Sequence, residues 1–354
     1  MRILDNYISK SVASSMLLVL SVLLALFTLF GFLDELKDVG KGNYGVAQAM
    51  LYILLTLPSL AYQLTPMTAL LGCTVGLGVL AGNSELTAIR SAGVSLERII
   101  WSVLKVGIYT VAIMTLVGEW IAPISEQYAQ TMRSVAKSNN LSLKGGQGLW
   151  AKDGAQYINV REILPGQRLG SVYIYEVDQQ HRITHILHAE SAIYKNQDWE
   201  LENVKHTYFE ENKVTSAVEP RHLWKTNLSP DLLNVVIVKS RTLSIWGLYQ
   251  YINYLESNGL NAQQYQQTFW SKLTLPIVTL VMVLLSIPFV FGPLRSVGVG
   301  HRILAGTLVG IGFHLFSQMS NYLGLVLNMN AALSVMMPTV LAAVVVVVLL
   351  RKIH

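Results

Sequence analysis

The chain has 354 residues, of which 52% are hydrophobic and 13% charged, with a formal net charge of +5. An apolar excess with so few charges excludes an ordinary soluble protein. The Lys and Arg residues are scattered singly, without a basic run or interleaved aromatics, so the positive balance does not indicate a nucleic-acid partner. Apolar residues crowd both ends, while the stretch from about Met132 to Gln267 is polar and carries most of the acids. That asymmetry predicts a membrane body with a soluble insert.

A membrane-crossing helix needs about 20 mostly apolar residues. Val12 to Leu33 carries no charge, and it is too long and lacks the small-residue cleavage site of a removed signal peptide; it reads as a retained first span. Met50 to Leu80 contains Pro58 and Pro66, so a kinked second span is expected, with its main crossing after Pro66. Gly72, Gly76, Gly78 and Gly82 within it permit close helix approach, read as packing inside the subunit. The lone cysteine, Cys73, lies in the same segment and reads as a small core residue. Ile99 to Ile124 forms the third span, and Leu273 to Phe291, Ile303 to Leu327 and Leu333 to Leu350 the fourth to sixth.

Lys and Arg set the orientation. Arg2, Lys10, Arg90, Arg98, Arg295, Arg302, Arg351 and Lys352 all fall on one side of six spans, which predicts cytoplasmic N- and C-termini in a multi-pass protein. The polar insert between spans three and four then lies outside. Within it, Leu149 to about Val238 shows short runs rich in Tyr, Ile and Val with turn punctuation at Asp153-Gly154 and Asn196 to Asp198. Trp199 and Leu201 alternate with Glu200 and Glu202, as a half-buried strand requires. A sandwich, jelly roll or open barrel is expected, followed by a helical stretch from Ser244 to Trp270 that leads back to the membrane. His181, His185 and His188 read as solvated strand positions, because His181 and His185 would lie about 13 Å apart and His188 would face the other way; no metal site is expected.

The chain has no Walker A sequence, no HExxH, no GxSxG and no paired-cysteine zinc spacing. Glu119, near the outer end of span three, is the one intramembrane acid that could support an enzyme; its neighbours Trp120 and Pro123 favour an interfacial belt instead. After span two, Gly82 to Arg98 reads as a short amphipathic helix with Ser84 as its cap. Such a helix either rests on the membrane or plugs into a groove on a partner. At the other face, Lys37, Lys41, Arg133 and Lys137 form a basic collar that either clasps phosphates or carboxylates of an amphipathic substrate or simply snorkels to the interface. His314, Gln318 and Asn321 form a polar stripe on span five, lining a cavity or bracing another helix.

Several segments occur together and in order: SELTAIRSAG from Ser84 to Gly93, Gly118-Glu119-Trp120 with Ala122-Pro123, GLWAKDG from Gly148 to Gly154, WKTNL from Trp224 to Leu228, and FGPLRS from Phe291 to Ser296. On these the chain resembles, along nearly its whole length, the LptF/LptG permease family of the lipopolysaccharide transport system, and within it the LptG branch. The resemblance implies six transmembrane helices plus an all-β, jelly-roll-like periplasmic domain between helices 3 and 4. The expected division is 1–131, 132–243 and 244–354. It also implies a bacterial inner-membrane location, an LptF-like permease partner, an LptB-like ATPase dimer that binds the ATP and Mg, an LptC-like bitopic protein, and lipopolysaccharide as cargo, with no cofactor held by this chain. The family's coupling helix matches Ser84 to Gly93, so Ser84, Glu85, Leu86, Ile89, Arg90 and Gly93 are the expected ATPase contacts, led by Glu85. Lys37 and Arg133 match its cavity-mouth bases; where relatives often carry a further base, Asp38 stands here and Lys41 follows. The rival readings are a force-transmitting subunit of another ABC system and an intramembrane enzyme using Glu119.

Overall fold

The computed structural model describes residues 2–137, 149–164, 168–178, 180, 182–195, 198–210, 213–226, 243–291 and 299–352. The first half contains α1 (Arg2–Glu35), α2 (Val46–Gly82), the short α3 (Glu85–Ser91), α4 (Leu96–Leu116) and α5 (Ala122–Lys137). A single π-helical turn, Val117–Ile121, joins α4 to α5, so the two run on as one rod. The strands β1 (Leu149–Asp153), β2 (Gln156–Leu164), β3 (Arg168–Val177), β4 (Ile183–Lys195), β5 (Asp198–Glu210) and β6 (Lys213–Trp224) follow. The chain closes with α6 (Ile245–Ser257), α7 (Gln263–Phe291), α8 (Val299–Val326) and α9 (Ala331–Arg351).

Six helical stretches among the described residues are long and apolar enough to cross a membrane: α1, α2, the α4–α5 rod, α7, α8 and α9. Their burial differs sharply. Of the most apolar stretch in each, 67% is buried within the chain for α2, but only 6% for α1 and 11% for α8. The expected kink does not interrupt α2, which stays helical through Pro58 and Pro66. Its glycines serve close packing within the subunit: a Cβ on Gly72 would lie 2.5 Å from the Met16 Cα on α1. Cys73 is buried in the same seam, beside Met16.

Ile8, Leu80, Leu86 and Ile99 share one apolar cluster against which Leu349 and Leu350 pack, so the N-terminus, α3 and the end of α9 meet at one end of the bundle. At the other end, the α4–α5 rod extends to Lys137 and leads towards the β-domain. The site segments 292–296, Gly148, Asn227 and Leu228 lie outside the described residues, as does His181.

Among the described residues, the insert is one antiparallel sheet with its six strands in sequential order. Across it runs a crease. The ladders skip one row, Arg161, Ser171, Glu190, Asn203 and Pro220, while the register stays the same on either side. Ser171 and Asn203 there have φ of 48° and 51°, and Pro220 has no N–H to give. A left-handed residue in a strand turns the following side chains to the other face. Trp199 and Leu201 are buried before the crease, and Val204 and His206 after it, so the alternation visible in the sequence reverses at Asn203. Creased in this way, the sheet folds over. The Trp224 indole N–H donates to Gln156 Oε1 (3.2 Å) and Thr226 Oγ donates to Asp153 Oδ2 (2.6 Å), which ties the end of β6 to the β1–β2 hairpin.

Residues of α6, expected only to connect, complete this core: Tyr251, Ile252, Tyr254 and Leu255 are buried in it. The Tyr254 hydroxyl donates to the Lys152 carbonyl (2.8 Å), and Asn258 Oδ1 accepts from Gly154 N (2.9 Å). The α6 helix starts at a Ser244 cap whose hydroxyl accepts from Gly247 N.

Candidate functional site

Between α2, the π-turn, α7 and α8 lies a cavity of about 510 Å³ within the membrane-spanning body. Its walls include Tyr62, Gln63, Lys272, His314, Gln318 and Asn321, so the stripe predicted on span five faces this space. Gln318 Nε2 lies 2.8 Å from His314 Nε2. The side-chain carbonyl of Asn321 is buried without a hydrogen-bond partner among the described residues, an uncompensated acceptor at the cavity wall. Gln267 holds the adjoining backbone by donating to the Asn321 carbonyl (2.9 Å).

Lys272, 10% exposed, points its ammonium at Glu119 Oε1 across 3.8 Å and lies over the Tyr62 ring. Glu119 Oε2 accepts from the backbone N–H of Ile245, the first residue of α6 (2.9 Å). Glu119 is therefore a helix-terminal acceptor, joining the bundle to the β-domain helix with the favourable dipole sign. Nothing in the sequence near Glu119 reveals this, because Ile245 and Lys272 lie far along the chain.

At the β-domain end, α1, the following 3₁₀ turn and α5 bring the collar together. Arg133 makes a two-pronged pair with Glu35 (Nε–Oε1 2.5 Å, Nη2–Oε2 3.0 Å) and also donates to Asp38 (2.8 Å). Lys137 pairs with Asp38 and lies 3.6 Å from Glu35. Tyr44 donates to Glu35 Oε1 (2.9 Å), and the Arg133 guanidinium lies over the Tyr52 ring. By contrast, Lys37 and Lys41 sit at the rim, 77% and 62% exposed, each paired to one carboxylate three residues back, Asp34 and Asp38. The collar thus divides into two cations locked on buried acid and two that are free to swing.

At the opposite end, α3 is fixed to the bundle. Leu86 is buried in the α1–α2–α4 seam and Ile89 packs against it, while Thr87, Arg90 and Gly93 face outward. Glu85 accepts from the Tyr7 hydroxyl (2.8 Å) and from Asn83 (3.2 Å). Ser84 occupies the N-cap position but its hydroxyl makes no capping bond; its φ of 61° serves the tight reversal out of α2 instead. Next to this loop, Arg98 grips Asp5 in a bidentate pair (2.9 and 3.0 Å).

In the β-domain, His185 and His188 separate as their parity requires. His188 stacks on Tyr173, where burial, aided by the nearby Arg161 charge, pushes its pKa down. Against the solvated position expected of it, His185 is 13% exposed and lies 3.2 Å from His206 on the next strand.

A helical membrane body split by an extramembranous β-domain, with a polar cavity inside and an anchored helix at the far end, defines a multi-pass transport subunit. Residues 6–352 match the family of lipopolysaccharide export system permeases LptF/LptG. The chain is 35% identical over 351 residues to the lipopolysaccharide export system permease protein LptG of Haemophilus influenzae, covering 99% of this chain and 98% of that one. It is 35% identical to the LptG protein of Escherichia coli K12 (95% and 94% covered), and 22% identical to the LptF protein of that strain over about half of each chain. This chain belongs to the LptF/LptG family of lipopolysaccharide export permeases, non-catalytic membrane subunits of an ABC transporter whose ATP is hydrolysed by a partner.

Proposed function

We propose that the chain forms one half of the membrane part of the exporter in the bacterial inner membrane, paired with an LptF-like permease. An LptB-like ATPase dimer would dock beneath α3, and an LptC-like bitopic protein would continue the route from the β-domain. The termini and α3 would be cytoplasmic and the β-domain periplasmic, consistent with Lys10, Arg90, Arg98, Arg351 and Lys352 gathering at the α3 end. The unburied faces of α1 and α8 are the surfaces left for the partner permease and the lipid.

One observation carries the mechanism: α1 touches both ends of the machine. Its Asp5 and Tyr7 are held by Arg98 and Glu85 beside α3, and its Glu35 is held by Arg133 in the collar. A helix of 34 residues is a rod of about 50 Å. Force applied by an ATPase to Ser84, Glu85, Arg90 and Gly93, with Leu86 and Ile89 as the anchored face, would move that rod and so reshape the cavity at His314, Gln318 and Asn321. Cargo must interact differently with the two cavity shapes, because equal affinity would shift nothing.

Among the collar bases, Lys37 and Lys41 are proposed as the first phosphate contacts. The Lys37–Asp34 pair is exposed at both ends and cheap to exchange, and Lys41 can leave Asp38 because Arg133 and Lys137 also hold that carboxylate, whereas Arg133 and Lys137 would have to abandon buried Glu35. Arg133 and Lys137 would then set the geometry of the mouth and add charge to it.

The test is site-specific photocrosslinking in native membranes from exposed positions Phe30 on α1 and Leu315 on α8. Lipopolysaccharide adducts that depend on ATP turnover are expected; a complex that hydrolyses ATP without any lipid adduct would reduce the chain to a force transmitter. Glu85→Ala should lower ATPase co-purification and export while leaving membrane insertion normal, and undiminished co-purification would remove α3 from the docking site.

A further inference from the structure

On the inner face of the sheet, three side chains converge across the crease from β5 and β6, the edge strand among the described residues: His206 and Glu219 lie on one side of the Asn203–Pro220 row and His222 on the other. His206 Nε2 lies 3.2 Å from Glu219 Oε2, and His222 Nδ1 lies 3.0 Å from the same oxygen. All three ligand atoms fall within 4.8 Å of one another. Zinc–nitrogen and zinc–oxygen bonds of about 2.0–2.2 Å in a tetrahedron place ligand atoms about 3.4 Å apart. The spacing is already close to that of a coordinated set.

The hydrogen bonds behind the triad make the stronger argument. His185 Nδ1 lies 3.1 Å from Glu176 Oε2, and His185 Nε2 lies 3.2 Å from His206 Nδ1. A carboxylate only accepts, so His185 Nδ1 carries hydrogen and, in the neutral ring, its Nε2 accepts from His206 Nδ1–H. The neutral His206 ring is then left with its Nε2 lone pair aimed at the carboxylate of Glu219. Two acceptors at 3.2 Å repel unless a positive charge lies between them. Either one extra proton on the His185–His206 pair or a metal ion supplies it. The arrangement also matches the outer shell of metal-bound imidazoles, whose second nitrogen donates into a fixed acceptor chain.

We propose that His206, Glu219 and His222 bind a transition-metal dication of the zinc type, with His185 and Glu176 orienting His206 behind it. Two imidazoles and one carboxylate suit zinc and its first-row neighbours, not magnesium or calcium. Glu219 and His222 are 47% and 36% exposed, so an ion can enter and a fourth position stays open to water. His206 lies on β5 and the other two ligands lie on β6. The bound ion would therefore clamp β6 onto β5, adding to the tie that Trp224 and Thr226 make where β6 ends.

The test uses the full-length chain in its transporter complex, purified in detergent through a tag free of histidine, stripped with chelator and titrated with zinc against a chromophoric competitor. Cobalt(II) serves as a spectroscopic stand-in. The expected result is one zinc per chain above the His206→Ala/Glu219→Gln/His222→Ala variant, with the visible bands of tetrahedral cobalt. His222→Ala and Glu219→Gln should each weaken binding at least tenfold, and His185→Ala by about 10–100-fold. His188→Ala, on the outer face, should leave binding unchanged, and chelation should speed hydrogen exchange in β6 alone. No uptake at micromolar zinc, or equal uptake by wild type and His222→Ala, overturns the proposal. So does NMR showing that the His185–His206 pair carries an extra proton in saturating zinc.

Discussion

Replacing Arg133 with alanine should cost far more than its loss of one surface charge suggests. Glu35, its main partner, is 7% exposed, and Arg133 is 26% exposed, so the pair is shielded from water on most sides. Removing one member of a buried pair costs about 3–5 kcal/mol, because the other charge stays behind without compensation. Here Tyr44 still donates to Glu35 and Lys137 remains 3.6 Å away, which places the expected loss near the lower bound, about 3 kcal/mol. The assay is thermal melting of the detergent-solubilised complex, with hydrogen exchange to locate the loss at the α1–α5 end. Lys37→Ala removes the same charge from an exposed pair and should leave the melt unchanged. The double variant Glu35→Gln/Arg133→Gln should recover much of the stability, since it leaves no stranded charge. Equal melting of Arg133→Ala and Lys37→Ala would refute the division of the collar into locked and mobile cations.

Three further outcomes are expected. Gly72→Ala would force a Cβ to within 2.5 Å of the Met16 backbone, so α1 must move off α2 at a cost of about 1–3 kcal/mol, seen as a lower melting temperature and weakened export; a wild-type melt would disprove the close seam. Glu119→Gln keeps an acceptor for the Ile245 N–H but leaves the buried Lys272 ammonium without its counter-charge, so it should retain more export than Glu119→Ala without reaching the wild-type level; equal export by both would remove Glu119 as the α6 anchor. His188 is held below its ordinary value by burial and by Arg161, so the unfolded chain binds its proton more readily. Its contribution to β-domain stability is therefore present above about pH 6.5 and is lost as pH falls below that value. Protection factors against hydrogen exchange in β3 and β4, corrected for the intrinsic pH dependence of exchange, should fall on acidification, and less so in His188→Gln.

Much of this protein is legible in its sequence because membranes and strands impose periodic demands on composition. A helix in hydrocarbon must satisfy its own backbone and hide few charges, so the six spans are visible as apolar runs. The β-domain announced itself through turns and alternation, and the order of SELTAIRSAG, GLWAKDG and their companions carried the family. Local patterns place His314, Gln318 and Asn321 on one stripe, since helical spacing is a local property.

What tertiary structure decided is every relation between segments distant along the chain. Sequence shows Arg133 and Lys137 as free bases; only the approach of α1 and α5 shows that Glu35 and Asp38 hold them. Sequence offers Glu119 as a buried acid, and the return of the chain after the β-domain makes it the anchor of α6. The reversal at Asn203 depends on one backbone torsion, and it turns His206 inward towards Glu219 and His222. Composition and periodicity act over a few residues and are written in the sequence directly, whereas charge partners and ligand sets depend on which surfaces folding brings within a few ångströms.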